Sequence, residues 1–227
     1  MKIMKLKILT AWAAALFLAG VAQGQIQTNV SFNSVNTLIP DGNPTGLASS
    51  TNLSGLTGSI ISITVALDVT GGFNGDLYAY LAGPQGGFAV LLNRTGLTAG
   101  NPFGYGDTGF NITLDDSSAN NIHTYQLGSP IFSSGQLTGT WAPDGRNIDP
   151  QSSGSVFDAA SPTADLSVFN NTSANGSWTL FIADLSGGAQ GTLVSWGLTV
   201  VTVPEPQTWA LVAGGVGMLL ALRRRKL

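Results

Sequence analysis

Residues 60–93 read IISITVALDVTGGFNGDLYAYLAGPQGGFAVLLN, three short runs of alternating apolar residues separated by two glycine-rich turns. Along 60–68, Ile61, Ile63, Val65, Leu67 and Val69 fall on one face and Ser62, Thr64, Ala66 and Asp68 on the other. That two-residue period marks a half-buried strand. Gly71, Gly72 and Gly75 punctuate the first turn, and 76–82 then places Leu77, Ala79 and Leu81 inward and Tyr78 and Tyr80 outward. Gly83-Pro84-Gln85-Gly86-Gly87 turns the chain again into 88–93. Three such runs with two tight connections predict an antiparallel meander.

The same pattern returns near the other end. Residues 177–184 place Trp178, Leu180 and Ile182 on one face, and after Gly187-Gly188 the run 192–201 places Val194, Trp196, Leu198 and Val200 together. Between the two strong regions lie a glycine-rich loop at 95–109 and a short strand at 110–114. Weaker strands at 137–141 and 156–157 flank the turn signals Pro143-Asp144-Gly145 and Asp149-Pro150. Upstream, Ile39-Pro40-Asp41-Gly42-Asn43-Pro44 is a dense turn cluster, with Val30, Phe32, Val35, Leu38 and Ile39 marking one or two strands around it. No helical period precedes residue 203, so the body is expected to be an all-β sandwich of roughly eight strands.

Both ends differ from this body. Lys2, Lys5 and Lys7 precede an apolar run at 8–21, and Ala22-Gln23-Gly24 supplies small residues for a cut before Gln25. Residues 1–24 therefore read as a secretory signal peptide. At the C-terminus, 209–222 carries no charge and Arg223, Arg224, Arg225 and Lys226 follow at once. A helix over that run is roughly 21 Å long, short of the ~30 Å hydrocarbon core unless the flanking arginines snorkel. The expectation is a marginal transmembrane helix with its basic tip in the cytoplasm and the body outside. The chain divides into 1–24, a β-sandwich at 25–202 with its core at about 38–201, and a sorting or anchor segment at 203–227.

Setting the two ends aside changes the electrostatics. The whole chain has a formal charge of −3, but the body keeps only Arg94 and Arg146 against eleven Asp, a charge near −9 with no Lys and no Glu. Such a surface repels phosphate backbones, so nucleic acid is not an expected partner. There is no cysteine, which removes disulfides and thiol chemistry.

Two resemblances follow from particular motifs. Val203-Pro204-Glu205-Pro206, then an apolar run, then Arg223 to Lys226 resembles the PEP-CTERM sorting signal of Gram-negative bacteria. That resemblance implies processing by an exosortase, transient anchoring in the inner membrane and delivery to the cell surface or extracellular matrix. The body is similar to the P domain of subtilisin-like proprotein convertases. The front half carries Gly75-Asp76-Leu77, Gly83-Pro84-Gln85-Gly86 and Leu91-Leu92; the back half carries Phe169, Asn175-Gly176-Ser177-Trp178, Asp184 and Ser195-Trp196. The resemblance implies a jelly-roll sandwich of galactose-binding-like type, and a separate protease as a candidate partner. The chain departs from it at Gly71-Gly72, where the family usually has His-Thr, and at Ala189, where it often has Asp.

Few residues can carry chemistry. The lone histidine, His123, sits beside Asn120 and Asn121 in an unpatterned stretch and reads as a solvated loop residue, with no nucleophile motif to accompany it. The same scarcity disfavours a zinc site. Gly104-Tyr105-Gly106-Asp107-Thr108-Gly109 matches a dinucleotide fingerprint by letter only, because a β-type run and not a helix follows it. Calcium is the one cofactor the composition suits: Asp76, Asp107, Asp115, Asp116 and Asp184 sit at strand ends or in glycine-rich loops, where carboxylates and carbonyls supply hard oxygen ligands. Tyr78, Tyr80 and Tyr105 suit either sugar stacking or cross-strand pairing. The expected function is a non-catalytic, exported surface or matrix protein. The alternatives are a carbohydrate-binding module that takes extracellular polysaccharide, or a P-domain-like accessory to a protease.

Overall fold

A computed structural model describes residues 27–203, and residues 27–202 form one compact unit. Ten strands make two sheets. The strands are β1 (Gln27–Leu38), β2 (Asn43–Leu53), β3 (Ser59–Gly71), β4 (Leu77–Ala82), β5 (Phe88–Asn93), β6 (Phe110–Leu114), β7 (Ile131–Ser133), β8 (Gln136–Trp141), β9 (Gly176–Asp184) and β10 (Gly191–Val203). The first sheet runs β1-β10-β3-β6-β8-β7 and the second β2-β9-β4-β5. Most pairs are antiparallel; β6 and β8 run parallel.

The all-β sandwich expected from the alternation is present. Val65, Leu67, Phe110, Ile112, Trp196 and Leu198 from the first sheet and Leu81, Trp178, Leu180 and Ile182 from the second are all buried in one core. Each fully buried side chain of this size contributes about 1.5–3 kcal/mol relative to exposure. The two indoles keep their donors satisfied: Trp178 Nε1 donates to the Ala174 carbonyl and Trp196 Nε1 to the Ser49 hydroxyl across the sandwich, each at 2.9 Å.

Four local expectations are corrected. The run 60–93 is not a meander, because β3 belongs to the first sheet and the β4–β5 hairpin to the second. Gly71 and Gly72 take positive φ, and a 3-10 turn at Asn74–Asp76 carries the chain across the sandwich. Ile61 points outward at 46 % exposure while Ile60 is buried. Ile60 is tied by its backbone to the 171–172 turn, and the alternation slips by one residue before Ile63. Val194 is only half-buried and Leu193 takes the inward place, close to where the β1–β10 register shifts. Residues 156–157 lie not in a strand but in a short α-helix, Gly154–Ala159, held by buried Phe157. The strand count is ten because the turn-rich N-terminal region forms two long strands and β7 adds a short edge.

The signal peptide, the Pro204-Glu205-Pro206 motif, the apolar run and the basic tip lie outside the described residues. Among the described residues no helix is long and apolar enough to cross a membrane.

Candidate functional site

The crossing from β3 to β4 builds the site. Gly75 sits where a Cβ would lie 2.5 Å from the Phe103 carbonyl, so the 95–109 loop can rest directly on its backbone. Backbone bonds fix that contact: the Gly75 amide donates to the Tyr105 carbonyl, the Asn74 amide to Asp107, and the Tyr105 amide to Thr95. Asn101 clamps the loop from inside, its Nδ2 donating to the carbonyls of Gly96 and Gly104. A loop braced at so many points is a preformed wall.

Between this wall, the 73–76 turn and the loop that follows β9 lies a solvent-open cleft of about 560 Å³, bordered by Phe73, Phe103, Tyr105, Asp76, Ser186 and Gly187. Phe103 is 79 % exposed and Phe73 40 %, which leaves two apolar rings facing water at its mouth. Tyr105 is half-buried, edge-on to Tyr125 at 4.7 Å.

The polar side of the cleft is acidic. Asp76 is buried, and Arg94 reaches it at 3.6 Å while its Nε donates to the Gly75 carbonyl and Nη2 to the Ser186 hydroxyl. Arg94 has a φ of 47°, a left-handed conformation that costs a non-glycine residue of order 1 kcal/mol. Next to this group lies Asp184, in register with Leu77 and fully buried. Its Oδ1 accepts from the Ser186 amide at 3.2 Å, while its Oδ2 accepts no hydrogen bond. Burial pushes the Asp184 carboxyl up to about 6, and the charges of Asp76 and Asp41 add to this against the Ser186 and Gly42 amides. Burial also raises Asp76, opposed by Ser186 and Arg94. Asp76 thus has the guanidinium of Arg94 beside it, while Asp184 has like charges as its charged neighbours.

The five Asp expected to hold calcium do not form one set. Asp76 and Asp184 are neighbours. Asp107 accepts from the Tyr125 hydroxyl and the Gln126 amide at 2.8 and 2.7 Å. Asp115 accepts from the Ser117 amide in its own turn. Asp116 reaches across to the amides of Leu166 and Ser167, at the start of another 3-10 turn. Among the described residues no three acids or histidines are arranged to hold a metal ion. Calcium takes six or more oxygens at about 2.3–2.6 Å, and beside Asp76 a guanidinium already stands. Of the five, only Asp76 and Asp184 stand side by side.

His123 is not a solvated loop residue: it is 2 % exposed. Its Nδ1 meets Asp144 Oδ2 at 2.7 Å, its Nε2 meets the Leu97 carbonyl at 3.1 Å, and its ring stacks on Phe157. Arg146 donates to the other oxygen of Asp144 at 3.1 Å. Both ring nitrogens are engaged, so neither is free to take a proton from a nucleophile; the cluster ties the 95–109 loop to the 143–157 segment. The Tyr78 and Tyr80 rings take the pairing alternative: Tyr80 stacks on its cross-strand partner Phe181 at 4.8 Å, with Phe88 on its other flank and Tyr78 nearby. The span 104–109 is irregular loop leading into β6.

Arg94, Ser186, Phe73 and Phe103 escaped the sequence reading. Two carried a signal: Arg94 is one of only two cations in the body, and Phe73 is a large apolar residue set among glycines in a turn.

No family model matches the chain, and no curated protein does. Among solved structures it is similar to a serine protease of Aeromonas sobria. In the complex of that protease with its chaperone, the match has a TM-score of 0.44 at 16 % identity and covers 84 % of this chain and 29 % of the other. For the protease alone the TM-score is again 0.44 at 16 % identity, covering 82 % and 29 %. The chain spans less than a third of the length of those structures.

Proposed function

We propose that this chain is an exported, non-catalytic protein of the cell surface or extracellular matrix that works by binding, and that its cleft takes a saccharide. The cleft carries this reading: exposed aromatic rings at the mouth and a fixed carboxylate and hydroxyl within are the parts that bind a sugar, whose C–H face stacks on a ring while its hydroxyls find polar partners. Its volume of about 560 Å³ lies within the usual range for small-molecule sites, roughly 300–1,000 Å³. Export through residues 1–24 and sorting through 203–227, with exosortase processing and transient inner-membrane anchoring, complete the proposal on the strength of the sequence motifs.

The test is a glycan array probed with the full chain and with Phe103→Ala. Phe103 makes its surface contribution at 79 % exposure, so its truncation leaves the melting temperature unchanged. Wild-type retention on a subset of glycans, lost in the variant, supports the reading; absence of retention on every glycan sinks it.

A second reading is an accessory to a separate subtilisin-like protease, favoured by one packing observation. The two halves of the P-domain-like pattern meet in space: a Cβ on Gly83 would touch the rings of Phe169 and Trp178, and one on Gly176 would touch Pro84. Phe169 and Trp178 themselves pack edge to face at 4.9 Å. Co-purification of a protease with the tagged full chain would support it over the first.

A further inference from the structure

The His123 cluster is built against the same 95–109 loop that walls the cleft, and its hydrogen bonds do not balance for a neutral ring. His123 and Asp144 are both buried. Nδ1 of the ring lies 2.7 Å from Asp144 Oδ2, and Nε2 lies 3.1 Å from the Leu97 carbonyl. A carboxylate and a carbonyl are both acceptors, whereas a neutral imidazole has one N–H to give. The other oxygen of Asp144 is already taken, accepting from the Arg146 guanidinium at 3.1 Å and the Arg146 amide at 3.3 Å. All these bonds are made only when the His123–Asp144 pair holds one proton more than a neutral imidazole and a carboxylate carry between them. In so close a pair that proton belongs to both groups.

The surroundings leave this proton to the pair. Segment 143–146 brings Asp144 and Arg146 to the ring. The helix Gly154–Ala159 offers it the face of Phe157, and Asp158 of that helix accepts from the Ala99 amide at 3.1 Å. β5, which packs on the 122–128 turn, has no titratable side chain, and neither have residues 95–104. Arg94, just beyond β5, is turned to Asp76 and Ser186. Three bonds fasten residues 96–99 here: the Gly96 amide donates to the His123 carbonyl, the Leu97 carbonyl meets Nε2, and the Ala99 amide donates to Asp158. Only the middle one depends on a titrating proton of the ring.

We infer that His123 is a proton-operated latch on the cleft wall: with the extra proton the ring holds Asp144 and Leu97 together, and without it the Leu97 bond is lost and the 96–99 arm loosens. The remaining N–H goes to the carboxylate, the stronger acceptor. The wall is therefore fastened at lower pH and released as pH rises. The latch is independent of what the cleft binds.

His123 is the single histidine of the chain, so isotope-labelled histidine in the full chain gives one ring to follow by NMR from about pH 5 to about pH 9. At the acid end both ring nitrogens carry hydrogen. As the ring loses one, hydrogen exchange at the Gly96 and Ala99 amides speeds up about tenfold or more beyond its intrinsic rise with pH, while the Leu180 amide in β9 shows no such excess. In Asp144→Asn the side-chain amide donates to Nδ1 and its oxygen accepts from Arg146, so a neutral ring satisfies every partner and the excess disappears. Should that variant misfold, the wild-type ring and exchange measurements decide alone. A bare ring nitrogen at the acid end, or exchange at Gly96 and Ala99 that ignores the titration of the ring, overturns the latch. Equal acceleration at Leu180 overturns it as well, by marking global unfolding. So does a ring that keeps both hydrogens over the whole range, which marks a fixed ion pair, and so does an excess that persists in Asp144→Asn.

Discussion

Replacing Asp184 by Asn tests the electrostatics of the buried carboxylate next to Asp76 directly. Asp184 is fully buried, with Asp76 and Asp41 as like-charged neighbours, Arg94 beyond Asp76, and one oxygen without a partner. Its carboxyl is held at about 6 against an ordinary 3.8. The folded chain thus binds this proton more tightly than the unfolded chain does. The resulting stability is present in full below about pH 3.8 and is lost as pH rises through about 6. At 1.36 kcal/mol per pH unit of pKa difference, the loss comes to about 3 kcal/mol. Asn does not titrate, and its Oδ1 can still accept from the Ser186 amide. Urea denaturation of wild type and Asp184→Asn, followed through the buried Trp141, Trp178 and Trp196, gives the stability difference at each pH. Carboxylates that do not interact with Asp184 cancel in that difference. Between about pH 4 and about pH 7 it should move by about 3 kcal/mol in favour of the variant. Parallel pH profiles would show that Asp184 is ionised at no cost and would refute the reasoning.

Three further outcomes are expected. His123→Ala leaves Asp144 fully buried with Arg146 as its one charged partner, and should cost about 3–5 kcal/mol in urea denaturation; the double variant with Asp144→Ala should cost less than the sum of the two, because the pair acts as a unit. Gly154→Ala would push a methyl into the Thr98 carbonyl and should lose about 1–3 kcal/mol, whereas Gly106→Ala, with open space around its Cβ position, should stay within about 0.5 kcal/mol; equal effects would show that the 95–109 loop is not seated as described. Intact-mass measurement of the surface form should find Arg223 to Lys226 removed, and finding them present would refute sorting through the tail.

Much of the fold was legible because burial writes a two-residue period into a strand. Leu77, Ala79 and Leu81, or Trp178, Leu180 and Ile182, announce both the strand and its inward face. The failures have specific causes. Ile60 and Ile61 are equally apolar, and only the backbone bonds to the 171–172 turn choose which one points in. Val156 and Phe157 are strand formers by propensity, yet the anchoring of Phe157 against His123 makes a helical turn the better fit. His123 sits among asparagines in the sequence, and its burial depends on Asp144 and Leu97, both more than twenty residues away.

By itself, the sequence determined the all-β class, the acidic body between basic ends, and the absence of thiol chemistry, because these follow from composition and short-range periodicity. The assignment of β3 and β4 to opposite sheets was decided only by the tertiary structure, since a glycine-rich turn can close a hairpin or cross a sandwich equally well. So was the choice among the aspartates. Asp107 and Asp116 find donors in distant segments and Asp115 finds one in its own turn, whereas Asp184 keeps a buried oxygen that accepts no hydrogen bond. A carboxylate's chemistry depends on its neighbours in space and on its distance from water, and neither quantity is encoded locally.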